Sequence, residues 1–193
     1  MSRIPLKIQG ITDITALKDS SLIIITDDNE SRQISVVCDS FARHEFAIRY
    51  RQRLRKEKAE QEDNGNLKMA LPETLGTIIK DIAGLLLEVV IVNIFDGQYV
   101  AVIEDKASGL SVPINITDGI LLCYANEDIK LYIESSLWAR QSVPYLGKNA
   151  QGVALPLNTL TIEMLQQALD KCIKEERYEL AKQLKEEIDR RGK

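Results

Sequence analysis

A single histidine, His44, stands among the 193 residues, too few for a histidine-built zinc centre. No serine or cysteine lies in a nucleophile motif that could pair with it, which argues against a Ser-His-Asp hydrolase. His44 therefore reads as a structural or surface residue. The three cysteines, Cys38, Cys123 and Cys172, are widely spaced within apolar segments. They indicate neither a disulfide framework nor a paired-cysteine metal site, and a reducing cytoplasm is the expected compartment. No apolar run approaches the ~20 residues that span a bilayer. The longest, Leu85 to Ile94, is interrupted by Glu88 and Asn93. The first residues lack the basic start and hydrophobic stretch of a secretory leader, so no membrane is expected among the partners. A Walker loop and a dinucleotide-type glycine pattern are missing as well. The net charge of −4 argues against an electrostatic nucleic-acid binder overall.

What is present is an ordinary core and an appendage. Ile4 to Ile11, Ser21 to Thr26 and Gln33 to Cys38 read as strands, the last two joined by the turn cluster Asp27-Asp28-Asn29-Glu30. Asp39 or Ser40 opens a helix from Phe41 to about Glu60. Residues 61–66 read as a solvated linker. Pro72 then starts a helix on which Leu75, Ile78, Ile79, Ile82 and Ala83 share one face, and Gly84 ends it. Leu86 to Phe95 and Gln98 to Asp105 flank Asp96-Gly97, the strongest two-residue hairpin turn in the chain. Leu110 to Ile116 is a further strand, Thr117 caps a short helix through Ala125, and Lys130 to Ile133 is the last strand. Antiparallel strands with helices between them predict an α+β fold over residues 1–140. Residues 141–156, with two prolines and two glycines, read as a linker.

Two groups of charged residues carry candidate chemistry. Arg49, Arg51, Arg53 and Arg55 form a basic stretch that could hold phosphates by counterion release, without reading sequence. Arg49 and Arg53 share one helix face, and Arg51 and Arg55 another. Acidic residues follow at once and only Tyr50 interleaves, which also fits a solvated helix end. Carboxylates are scattered through the second half with no spacing that singles out a metal pair. Asp118 sits in the first turn of a helix, where the dipole favours a carboxylate in any case.

Residues 157–193 read as two short amphipathic helices folded into a hairpin. Ile162, Leu165, Leu169 and Cys172 line the first, while Leu180 or Ala181, Leu184 and Ile188 line the second behind Tyr178. So small a unit cannot bury two stripes alone, so it needs its own domain, a copy of itself or another protein to pack against. The series Leu165-Gln-Gln-Ala168-Leu169, Arg177-Tyr178-Glu179-Leu180-Ala181 and Leu184-Lys185-Glu186-Glu187-Ile188 resembles the UVR motif. That hairpin is shared by the B and C proteins of bacterial nucleotide-excision repair and by some chaperone and kinase-regulator proteins. The resemblance implies protein–protein contact through Leu165, Leu169, Tyr178, Ala181, Leu184 and Ile188.

The first 140 residues resemble the bacterial bifunctional nuclease family in the order of their segments. The likeness runs through Leu6 to Ile11, Ile34 to Cys38 with Ala47-Ile48, the Leu71-Pro72 helix, Val89 to Phe95 with Asp96-Gly97, and Thr117-Asp118-Gly119-Ile120. It implies metal-assisted cleavage of DNA and RNA with Mg²⁺ or Mn²⁺, with Asp118 and Thr117 as the surviving site residues. Three segments depart from the family pattern. Ala42 stands for a glutamate, Met69-Ala70 for an Arg-Pro pair, and Asn115 for an arginine. Arginine is a two-pronged phosphate donor that neither asparagine nor methionine replaces.

Two expectations follow. One is a divergent nuclease acting on nucleic acid. The other is a catalytically degenerate scaffold or regulator that works through the hairpin. A homodimer is an expectation of either, since both sheet and hairpin present faces that could self-associate. On the linker reading, removal of residues 157–193 leaves the α+β domain folded.

Overall fold

A computed structural model describes residues 2–14, 20–57, 70–145, 147, 157 and 160–191, excepting the side chains of 54–57. Eight strands form one sheet: β1 (Arg3–Asp13), β2 (Ser20–Asp27), β3 (Arg32–Asp39), β4 (Leu87–Phe95), β5 (Gln98–Asp105), β6 (Ser111–Ile114), β7 (Lys130–Glu134) and β8 (Val143–Pro144). Their spatial order is β6-β5-β4-β7-β1-β2-β3-β8. Among the described residues, only β4 and β7 pair in parallel, and every other neighbouring pair is antiparallel. This is the expected α+β class.

The turn chemistry is local and legible. Asp96 (φ 45°) and Gly97 (φ 74°) are both left-handed, the backbone of a two-residue turn matched to strand twist. Each outer strand carries a proline, Pro113 in β6 and Pro144 in β8. A proline offers no N–H for ladder pairing and so discourages another chain from extending the sheet.

Among the described residues, six α-helices accompany the sheet: α1 (Ser40–Glu57), α2 (Leu71–Thr77), α3 (Ile116–Ala125), α4 (Ser135–Gln141), α5 (Ile162–Lys174) and α6 (Tyr178–Arg191). Asp39 caps α1 by accepting from the Ala42 N–H at 2.8 Å. Asn115, not Thr117, caps α3. α2 does not run on to Gly84 as one α-helix. It passes into a π-helical turn, Ile78–Ile82, whose wider winding turns Ile78 and Ile82 outward and leaves Ile79 buried. The expected single face of Leu75, Ile78, Ile79, Ile82 and Ala83 is therefore split. The 61–66 linker and most of 141–156 fall outside the described residues.

Strand alternation sends side chains to two faces. On one, Ile23, Ile25, Ile34, Val89, Ile91, Leu131 and Ile133 form a core with Phe46 of α1, Ile120 and Tyr124 of α3, and Leu137 and Trp138 of α4. On the other, Leu22 and Ile24 of β2, with Ile14 and the half-buried Val37, pack against Leu160, Leu165, Ala168, Cys172, Ala181 and Leu184. β2 is buried from Ser21 to Thr26 without a break, which is what covering a strand on both faces demands. The α5–α6 hairpin thus lies on its own sheet, on the face opposite α1, α3 and α4.

Candidate functional site

At the start of α3, the Asn115 carboxamide oxygen accepts from the Thr117 N–H at 2.9 Å and from the Thr117 hydroxyl at 2.6 Å. The hydroxyl proton is therefore already used. Gly119 sits close against the sheet: a Cβ there would meet Val89 Cγ1 at 3.0 Å and Ile114 Cγ2 at 3.3 Å. Asp118, between them, is exposed. Among the described residues, no three His, Cys, Asp or Glu side chains come together in a group able to hold a metal ion. Asp118 is thus a single exposed carboxylate beside a hydroxyl that already donates to Asn115.

The basic helix divides by face. Arg49 is 4% exposed and is held on three sides. Its Nε and Nη2 donate to Glu73 Oε1 and Oε2 at 2.7 and 2.8 Å. Nη1 donates to the Glu45 carboxylate at 2.8 Å and to its carbonyl at 3.0 Å. Burial alone would lower its pKa, but the hydrogen bonds it donates to Glu73 and Glu45 outweigh it and hold the charge more firmly. Arg53 lies over the Tyr124 ring, 4.1 Å from its centroid, and donates to the Tyr124 carbonyl at 2.6 Å. Arg49 and Arg53, both expected to hold phosphate, tie α1 to the helices beside it. Arg51 faces solvent, and the Arg55 side chain lies outside the described residues.

In the hairpin, the Thr161 hydroxyl caps α5 by accepting from Met164 N–H at 3.2 Å. Glu163 lies in its first turn and Lys171 and Lys174 in its last, the signs the helix dipole favours. α5 ends in a Schellman motif. Arg177 N–H donates to Cys172 O at 2.8 Å and Glu176 N–H to Ile173 O at 3.2 Å, with Glu176 left-handed at φ 56°. Arg191, at the end of α6, donates to the carbonyls of Leu157 and Leu160 at 2.7 and 2.6 Å. The unit is therefore closed at both ends. Of its expected contact residues, Leu165, Ala181 and Leu184 are buried, Leu169 and Ile188 are half-buried, and Tyr178 is 67% exposed. The buried three meet the chain's own sheet. Ile162 and Ile173 share the open side of α5, eleven positions apart, close to a whole number of helical turns.

A further charged group emerged only in three dimensions. Glu88 is 6% exposed in β4, ion-paired with Lys106 and with Arg3 Nη1 at 3.5 Å, while Arg3 Nη2 reaches Glu104 at 2.7 Å. Tyr132 hydrogen-bonds to the same carboxylate; its burial, then the Glu88 charge, raise its pKa. Every buried side-chain polar atom among the described residues has a partner, so this network is satisfied within the chain. Its trace in the sequence is the one carboxylate interrupting the longest apolar run.

No helix among the described residues is long and apolar enough to cross a membrane. No protein-family model and no curated protein matches this chain.

Proposed function

We propose that this protein is a divergent relative of the bifunctional nucleases whose α+β domain acts as a scaffold, and that its UVR-like hairpin is the element that meets a protein partner. The observation that carries the reading is the hairpin's division of labour. One stripe is consumed by the sheet, while Ile162, Ile173 and Tyr178 stay in solvent on a unit capped at both ends. The contact set is accordingly narrowed to these three, with Leu169 at the seam. Support also comes from the charged groups: Arg49 and Arg53 are engaged in internal contacts, and among the described residues Asp118 belongs to no three-ligand group. The three buried, free cysteines fit a reducing cytoplasm.

Nuclease assays on single- and double-stranded DNA and RNA with Mg²⁺ or Mn²⁺ test the reading. The expected result is no cleavage by wild type. Metal-dependent cleavage that Asp118→Ala abolishes would overturn the scaffold reading in favour of the enzyme.

A further inference from the structure

The β4–β5 turn meets the hairpin at one point. A Cβ on Gly97 would lie 2.4 Å from the Leu160 carbonyl oxygen and 2.8 Å from Arg191 Nη1, so the approach needs a residue without one. Gly97 thus sits against the hydrogen bond that Arg191 Nη1 donates to Leu160 O at 2.6 Å. From the same guanidinium, Nη2 donates to Leu157 O at 2.7 Å and Nε to Glu187 Oε1 at 2.7 Å, which fixes its orientation. The Arg191 and Glu187 side chains are 13% and 12% exposed, so the junction is largely closed to water. Three segments meet here: the turn, the entry to α5 and the end of α6. The turn alone would account for Gly97; the hairpin makes a second demand on the same residue.

The contact with β2 is of another kind. It rests on apolar side chains, Leu22 and Ile24 among them. Apolar attraction is strong but non-directional, so it holds the hairpin on the sheet without setting where the hairpin stops. The junction at Gly97 is directional, made of hydrogen bonds of fixed geometry and a space that only a missing Cβ leaves. Arginine suits the place because its planar fork serves two carbonyls and a carboxylate at once, a geometry that lysine's point charge does not reproduce. We propose that Gly97, Leu160 and Arg191 form a latch that sets the pose of the hairpin, and that opening it lets the entry end of the hairpin lift while the contact with β2 holds. Ile162 lies two residues beyond Leu160, so the latch also places the first residue of the hairpin's open flank.

Residue-resolved amide exchange of the full chain tests this. Met164 N–H, bonded to the Thr161 hydroxyl, and Leu165 N–H, bonded to Thr161 O, report on the entry to α5. Arg191→Ala should speed their exchange by about tenfold or more, while the amides of Ile23 and Ile25 in β2 and of Leu184 keep their wild-type rates. Gly97→Asn should do the same, since asparagine tolerates the left-handed turn but its Cβ displaces Leu160. If Gly97→Asn folds poorly, Arg191→Ala carries the test alone. The readout needs no partner, so the latch stands or falls separately from the hairpin's role in interaction. Unchanged exchange at Met164 and Leu165 in either folded variant, or equal acceleration in β2 and the hairpin alike, would overturn the proposal.

Discussion

Arg49 and Glu73 meet in a two-point ion pair, Nε to Oε1 at 2.7 Å and Nη2 to Oε2 at 2.8 Å, which locks α1 to α2. The pair joins segments 24 residues apart from inside the fold, where a lone charge is costly. Arg49→Ala is expected to destabilise by about 3 kcal/mol, the low end for breaking a buried pair, because the two carboxylates keep some solvent. Urea unfolding measures it. Stability left at the wild-type level would show that Arg49 is not the clamp.

Arg51, on the outward face of the same helix, gives the contrasting result. If α1 meets nucleic acid at all, Arg51→Ala should lower the slope of log affinity against log salt by about one. Arg53→Ala should instead lose stability through its contact with Tyr124 and leave the slope alone. Salt titrations of both variants against a random-sequence oligonucleotide distinguish them.

Asp27 sets an acid limb of stability. Its carboxylate accepts from Ser31 N–H at 2.8 Å, the Ser31 hydroxyl at 2.6 Å and Arg32 N–H at 3.1 Å. Burial pushes its pKa up, but these hydrogen bonds outweigh it and hold the group below the ordinary 3.8. A lowered folded-state pKa stabilises above the unfolded value and is lost as pH falls through the folded one. Asp27→Asn should therefore flatten the fall in stability below about pH 4. Melting temperatures taken stepwise from pH 6 to pH 2 read the effect, and an unchanged limb would assign it to other carboxylates.

Glu176 is held in a left-handed conformation that costs an L-residue with a Cβ about 1–2 kcal/mol. Part of that cost returns as unfolded-chain entropy when glycine replaces it, leaving Glu176→Gly stabilising by about 0.5–1 kcal/mol. A loss of stability in thermal melts would mean that the glutamate side chain makes a contact of its own.

Leu184 is fully buried between the hairpin and β2. Leu184→Ala should cost about 2–5 kcal/mol. Removing residues 157–193 should do more, baring Leu22, Ile24 and Val37 to water and leaving a sheet that aggregates or unfolds without cooperativity. This reverses the sequence expectation of an independent α+β domain. A truncated chain that stays monomeric and melts sharply would restore it.

Several of these features could be read in the chain beforehand. Asp96-Gly97 named its own turn because only left-handed residues suit a two-residue hairpin. Arg49 with Arg53, and Arg51, fell on separate helix faces by spacing alone, though spacing does not say which face turns inward. Ser21 to Thr26 was legible as a strand, but its cover on both faces came to light only with the hairpin in place. What stayed hidden depended on distance in space. Glu73 reaches Arg49, and Lys106 with Arg3 reaches Glu88, only after the sheet has closed. The π-helical turn was hidden for another reason: Ile78, Ile79 and Ile82 suit an α-helical period as well as the winding they adopt.

Arg3 pairs with Glu134 across β1 and β7, so the first strand finds its inner neighbour more than 130 positions later. Until β7 exists, β1-β2-β3 and β4-β5-β6 are two separate meanders. Contacts this remote in sequence slow folding. A chain emerging in order during synthesis must hold β1 half-paired, with an unsatisfied edge, until Lys130–Glu134 has been made. The centre of the sheet therefore closes only after both meanders have been made.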